Sequence, residues 1–361
     1  VGSFLRPERL LAAARRLRAG EIAEAEFRAL QDECVTEIVR FQERLGLQSI
    51  TDGEFRRRSW SAGFIDAIPA FGYREGALGS FRSERGAVVA VAQNPYARAP
   101  LKRVRGIATG EFAFLKSVVR QGVPKVTLPS PPVMHFFLGP RAVDEAVYPD
   151  LDRYFDDLVR IYREEVAELA AAGCRYLQLD DTALPCLCDP AVQDEVRRRG
   201  EDPQKLLATY ARVINAAIAE RPRDMVVAMH LCRGNLKGAW MAEGGYDPIA
   251  QTLFNDLGVD GYLLEYDTPR AGDFGPLARV PKGKTVVLGL LSTKTPALES
   301  PEALKRRIDE AARQVPLEQL ALSPQCGFSS AAGGGQVITP EDTERKVRLM
   351  QAVAAEVWGR S

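Results

Sequence analysis

Few residues in this chain are suited to chemistry, and their spacing narrows what that chemistry is. The 361 residues include two histidines, His135 and His230, and six cysteines, Cys34, Cys174, Cys186, Cys188, Cys232 and Cys326. Two imidazoles exclude any site that needs several. The sharpest local pattern is His230-Leu231-Cys232. On a strand, residues two apart face the same side, so an imidazole and a thiolate there can reach one ion. Alone, the pattern is weak and reads more readily as a core histidine beside a buried cysteine. Cys186-Leu187-Cys188 is a rival pair, which would need ligands from elsewhere, or two buried cysteines in a loop. Cys34 and Cys174 read as core packing. Asp180-Asp181 follows Leu-Gln-Leu, and adjacent residues point opposite ways, so one faces a pocket and the other holds structure. Glu54, in Thr51-Asp52-Gly53-Glu54-Phe55, is a further carboxylate. Both Glu54 and Asp180 suit an ammonium group, or pairing with Arg56, Arg57 and Arg58. Lys294 suits an anionic group or a proton-donating role, or is solvated. His135, in Val133-Met134-His135-Phe136-Phe137, reads as a substrate contact or as a buried, hydrogen-bonded histidine.

Positioning these groups requires a frame. Short apolar runs occur at 48–52, 125–129, 175–180, 225–230, 261–265, 285–290 and 319–323, and Val1–Phe4 is an eighth. Amphipathic patterns at 8–19, 24–45, 151–172, 203–219, 300–314 and 340–357 predict helices between them. Ser300-Pro301 is a cap followed by a first-turn proline. Apolar strands alternating with one-sided helices predict a parallel sheet covered by helices. Eight such units make a (β/α)₈ TIM barrel, in the α/β class; an open doubly wound sheet is the competing architecture. The whole chain, 1–361, reads as one domain. The interval 55–123, after strand two, is too long for one crossover and reads as an insertion. Its runs at Ala87–Ala92 and Leu101–Arg105 predict a hairpin over the barrel mouth. Ala331–Gly335 reads as a mobile loop.

Barrel enzymes carry reactive groups at the C-terminal ends of their strands. Here those ends are Ser3, Glu54, Ser130, Asp180 with Asp181, His230 with Cys232, Glu265, Lys294 and Cys326. His230, Cys232, Glu265 and Cys326 would form one ligand set, and thiolates with imidazole select zinc. A catalytic zinc needs an exchangeable position.

Composition sets outer bounds. Lys plus Arg and Asp plus Glu each number 48, giving no net charge, which argues against nucleic acid as partner. No apolar run is long enough to span a membrane. The N-terminus lacks a secretion pattern, so the cytoplasm is expected, with cysteines free, metal-bound or catalytic. A homo-oligomer is compatible with all of this.

In order along the chain, VGSF, TDGEF, YLQLDD, HLCRGN, LLEYD, LGLLSTK and SPQCGF resemble the catalytic domain of cobalamin-independent methionine synthase and its stand-alone relatives. The resemblance covers nearly the whole chain. It implies zinc held by His230, Cys232, Glu265 and Cys326, and an amino-acid thiol held by Gly2, Ser3, Glu54 and Asp180. It places Phe136 roughly where the family has an aromatic Trp, and Lys294 where it has a proton-donating His. The family's D-E-P-A-L-R-E stretch is here Asp180-Asp-Thr-Ala-Leu-Pro-Cys186, so Cys186 stands where a Glu touches the pterin. The zinc and thiol half is retained, and the folate half mostly is not.

The expected activity is zinc-dependent transfer of a methyl or other alkyl group to homocysteine or a similar small thiol. Asp180 and Lys294 are the candidate catalytic residues; Gly2, Ser3, Glu54, Asp180, Asp181, His135 and Phe136 are candidate substrate contacts. One alternative makes or breaks a C–S bond of an epoxide or hydroxyalkyl thioether with the same zinc chemistry. Another is a non-catalytic barrel with structural zinc.

Overall fold

A computed structural model describes residues 2–76, 81–83, 86–88, 93–330 and 334–359; of Ala87 and Val88 it describes the backbone. The strands are β1 (Ser49–Ile50), β2 (Phe71–Glu75), β3 (Phe81–Ser83), β4 (Gly86–Val88), β5 (Gln93–Ala97), β6 (Val123–Pro124), β7 (Val126–Pro129), β8 (Tyr176–Asp181), β9 (Val226–Leu231), β10 (Gly261–Glu265), β11 (Thr285–Leu291) and β12 (Leu320–Pro324).

Six of these form one parallel sheet in the order β12-β11-β10-β9-β8-β7. β6 runs into β7 and pairs in parallel with β1, and the Lys125 N–H between them donates to the Ile50 carbonyl. The ring continues through Ser3, bridged in parallel to Gly53, while the Phe328 N–H donates to the Ser3 carbonyl. Gly327 permits that approach, because a Cβ there would overlap the Ser3 hydroxyl. The architecture is thus the α/β barrel type. Its regular ladder is open between β12 and β1, where a cavity of about 920 Å³ lies between Gln48–Ser49 and Leu320–Pro324.

The strands are mostly apolar and buried, as parallel strands covered on both faces tend to be, with Thr127 and Gln178 as buried polar exceptions. Helices at Glu8–Arg18, Glu24–Arg44, Leu151–Ala171, Pro203–Ile218, Pro301–Ala312 and Pro340–Trp358 lie within two residues of the expected ones. Ser300 caps the fifth of these by accepting from the Ala303 N–H. Helices at Thr109–Val118 and Pro190–Arg198 are additional. The second carried the same signal, an Asp189 cap followed by Pro190. Cys34 and Cys174 are core residues.

The inserted segment differs from expectation. β2 pairs antiparallel with β5, and β3 with β4. Arg82 makes an antiparallel bridge to Trp240 in the loop after β9, so β3 lies against the segment carrying Cys232. The expected strand at Leu101–Arg105 does not form. Its backbone is taken by side chains: Leu101 N–H donates to the Tyr148 hydroxyl and Arg160 donates to the Leu101 carbonyl. Residues 89–92 of the expected hairpin, residues 331–333 of the expected glycine-rich loop, and Val1 lie outside the described residues. No described helix is long and apolar enough to cross a membrane.

Candidate metal centre

β9 and β10 pair in register, with His230 opposite Leu263. His230 Nδ1 faces the Leu263 carbonyl at 3.3 Å, which leaves Nε2 for the barrel interior. Cys232 follows two residues on, Glu265 ends β10, and Cys326 follows β12. One ligand atom from each of His230, Cys232, Glu265 and Cys326 lies within 4.8 Å of the others. The two sulfurs are 3.8 Å apart. His230 and Glu265 are buried, yet His230 Nε2 and Glu265 Oε1 have no hydrogen-bond partner among the described residues. Unsatisfied buried polar atoms are costly and rare, and two converging with two thiols fit a cation. The donor set, with imidazole and two sulfurs, suits zinc.

The electrostatics agree with such a cluster. Cys326 accepts from Cys232, and despite burial this contact, with His230 and Lys294 nearby, holds its thiol well below the ordinary range. Cys232 keeps its proton, held by that same contact and by burial. Burial pushes Glu265 up to about 7, against the pull of Lys294. Lys294 Nζ lies 3.3 Å from Asp267 Oδ2 and 3.9 Å from Glu265 Oε2. Burial opposes its charge, but those two carboxylates outweigh it and raise its pKa.

A second group of polar residues lies on the neighbouring strands. Gly53 and Glu54 both adopt left-handed backbone, with φ of 67° and 60°. For Glu54 this conformation is strained, and Arg6 stabilises it by donating to the Glu54 carbonyl at 2.7 Å. Glu54 is buried, and Thr127 donates to its Oε1 at 3.2 Å. Burial raises its pKa to about 7, and the charge of Asp180 adds to the rise while Arg57 opposes it. Gly2 packs on this carboxylate, which a Cβ at that position would overlap. The Ser3 hydroxyl donates to the Ser329 carbonyl at 3.0 Å. Asp180, half-buried, pairs in register with His230 and accepts from Gln178.

The structure separates the two adjacent aspartates. Asp181 accepts from the Ser130 hydroxyl and from the Leu184 N–H, so it ties the loop after β7 to the turn after β8. Of the two readings of His135, the structure shows the buried, hydrogen-bonded one, and both His135 and Phe136 sit in the helical layer. His135 Nδ1 is 2.8 Å from the Tyr210 hydroxyl and its ring packs on Phe155. Phe136 is fully buried against Phe137 and Tyr210. Cys186 and Cys188 are buried too, and burial raises both thiols, Cys188 to about 12. Sequence reasoning missed Asp267, Thr127 and Gln178. Gln178 was visible as a polar residue within an apolar strand, two positions before Asp180 and so on its face.

The comparisons with known proteins agree with this geometry. Residues 1–356 match the family described as "Cobalamin-independent synthase, Catalytic domain". The protein YxjH of Bacillus subtilis (strain 168) is 39% identical over 99% of this chain and 93% of its own length. A methionine synthase of Pyrococcus abyssi is 25% identical over 91% of this chain and 85% of its own. A solved Listeria monocytogenes structure, assigned to the vitamin-B12 independent methionine synthases, is 33% identical with a TM-score of 0.76, covering 100% of this chain and 97% of that one. A B12-independent methionine synthase of Shewanella sp. W3-18-1, solved in complex with selenomethionine, shares the fold at 19% identity and a TM-score of 0.69, covering 94% and 90%. By the extent of the family match, this chain belongs to the cobalamin-independent synthase family, in its catalytic-domain form.

Proposed function

We propose that this protein is a zinc-dependent transferase that moves a methyl or other small alkyl group onto the thiol of homocysteine or a closely similar amino-acid thiol. The observation that carries this reading is the convergence of His230, Cys232, Glu265 and Cys326 within 4.8 Å, with buried unpartnered atoms among them. When bound there, zinc supplies Lewis acidity that keeps a thiol ionised at neutral pH.

The chain's own residues supply orientation and proton handling. Glu54 and Asp180 receive the ammonium group of the thiol. Gly2 leaves that space open, and Ser3 lines it. Lys294 Nζ, held by Asp267 and next to Glu265, carries the proton that a departing amine or alkoxide would need. Asp181 is proposed to shape the pocket only through the loop it ties down, and His135 and Phe136 only through packing.

Cys186 favours a second reading of the donor. It stands where the family resemblance expects a pterin-contacting carboxylate, and it is fully buried. That supports a small electrophile, such as an epoxide or hydroxyalkyl thioether, over a polyglutamyl folate.

The test is zinc content by elemental analysis, followed by zinc-edge absorption with and without homocysteine. About one zinc per chain that gains a sulfur ligand on adding homocysteine is the expected result. No zinc after reconstitution would overturn the proposal. Zinc whose ligands ignore homocysteine would overturn the choice of thiol.

A further inference from the structure

The interior of this barrel carries polar residues below the pocket, where branched apolar side chains normally fill the layers. β7 and β8 pair in register, Thr127 opposite Gln178. The period of two puts Lys125 and Thr127 on one face of their strand, and Gln178 and Asp180 on one face of the next. Lys125, Thr127 and Gln178 are all buried.

Two hydrogen-bonded relays result, each starting at a cation and ending on a carboxylate. In the first, Lys125 Nζ donates to Gln178 Oε1 at 3.0 Å, and Gln178 Nε2 donates to Asp180 Oδ1 at 2.6 Å. An ammonium group cannot accept, so the amide has one usable orientation, with its NH₂ toward Asp180. In the second, Arg57 Nη1 donates to Thr127 Oγ1 at 2.8 Å, and that hydroxyl donates to Glu54 Oε1 at 3.2 Å. A guanidinium cannot accept either, so the Thr127 proton must point to Glu54. Glu111 fixes Arg57 in turn, its Oε2 lying 2.8 Å from Arg57 Nε. Each relay reaches one oxygen of its carboxylate. Among the described residues, no hydrogen bond reaches the other oxygen.

We propose that Thr127 and Gln178 are positioning residues that aim Glu54 and Asp180 at the ammonium group of the thiol substrate, and so make the site selective for α-amino thiols over des-amino ones. This rests on the amino-acid thiol reading above and deepens it. Neither residue touches the substrate. Each fixes which oxygen of its carboxylate is engaged and which faces the pocket. Burying these polar groups is costly without such a role, since an apolar pair of similar volume would fill the same layer.

The experiment measures binding, so no alkyl donor is needed. Protein loaded with cobalt(II) is titrated with L-homocysteine and with 4-sulfanylbutanoate, its des-amino analogue, following the thiolate-to-metal absorption band. Wild-type protein is expected to prefer homocysteine. Thr127→Val and Gln178→Met should lose that preference by about 10-fold or more, the scale of one charge-assisted hydrogen bond. Their affinity for 4-sulfanylbutanoate and their metal content should stay unchanged, and Thr127→Ser should keep the preference. If Thr127→Val does not fold, Gln178→Glu serves instead. It keeps the volume and the Lys125 contact but turns an oxygen toward Asp180, and it should lose the preference as well. Equal weakening of both thiols, or an unchanged preference in folded variants, would overturn the relays. A wild-type protein that binds both thiols equally would overturn the amino-acid thiol reading itself, a separate result visible before any variant is made.

Discussion

Two regions of this barrel hold a pair of cysteines with a buried cation beside them, and they differ in almost every other respect. Cys232 and Cys326 lie 94 residues apart in sequence and meet at 3.8 Å, half-buried, with His230 and Glu265 converging on them. Their cation, Lys294, is held by carboxylates. Cys186 and Cys188 are neighbours in sequence, both buried, with raised thiol pKa values. Their cation is Arg233, whose guanidinium lies 4.4 Å over the Tyr246 ring, with Tyr246, Cys188 and Glu265 raising its pKa against burial. The sequence-local pair is the more obvious one to the eye. Yet it is the distant pair that the strand ends gather with further ligands. Proximity in sequence places two sulfurs together, whereas a metal centre needs topology to bring an imidazole and a carboxylate as well.

The largest effect separates the pairs directly. Cys232→Ala or Cys326→Ala should lower zinc affinity by more than about 100-fold, beyond what changes outside the ligand set produce. Thiol alkylation should vanish with it. Cys186→Ala and Cys188→Ala should keep about one zinc per chain. Elemental analysis after dialysis against a competing chelator measures both. Zinc retained in the first two variants, or lost in the second two, would reverse the assignment.

A smaller effect separates the two cations. Lys294→Met should reduce turnover by about 10²–10³-fold while leaving zinc in place, because a positioned proton donor contributes on that scale. Arg233→Met should instead lower the melting temperature, because Tyr246, Cys188 and Glu265 favour the buried charge and the desolvated contact with the Tyr246 ring adds about 2 kcal/mol. A Lys294→Met enzyme with wild-type turnover would remove that residue from the proton step. An unchanged melting temperature in Arg233→Met would mean that the sealed region gains nothing from its cation.

Much of this was legible beforehand, for particular reasons. The runs ending at Asp180, His230, Glu265 and Leu290 lie close to β8 to β11 because buried parallel strands leave a near-continuous apolar signature. His230, Cys232, Glu265 and Cys326 could be read together because barrel strands all deliver their C-terminal ends to one face. The relays were harder to read. Gln178 and Thr127 interrupt apolar runs, and polar interruptions usually mean solvent. His135 and Phe136 follow a strand but sit in the short helix Val133–Phe136, where no strand period says which way a side chain points. Leu101–Arg105 has the composition of a strand, but Tyr148 and Arg160 claim its backbone from segments remote in sequence.

The smallest effect concerns the two histidines, which repeat the contrast between a converging cluster and a sealed pocket. His230 turns an unpartnered Nε2 toward the cluster of Cys232, Glu265 and Cys326. His135 is sealed in the helical layer, with the Tyr210 hydroxyl on one side and Glu201 at 3.6 Å from Nε2 on the other. Glu201 does little to charge it, because Arg199 pairs with that carboxylate. Burial, followed by the Arg199 charge, lowers the His135 pKa to about 3. An unfolded histidine titrates near 6.5, so between those values the unfolded chain binds the extra proton. The stability contributed by neutral His135 is therefore fully present above about pH 6.5 and is lost progressively as pH falls toward 3. At pH 6 the loss should be about 1 kcal/mol. Urea unfolding at pH 7.5 and pH 6 should show that drop in wild-type protein and most of it gone in His135→Gln, whose amide can still meet Tyr210. Because His230 is shared by both proteins, the difference between their pH slopes reports His135 alone. Equal slopes would mean that His135 is not the sealed, neutral group described.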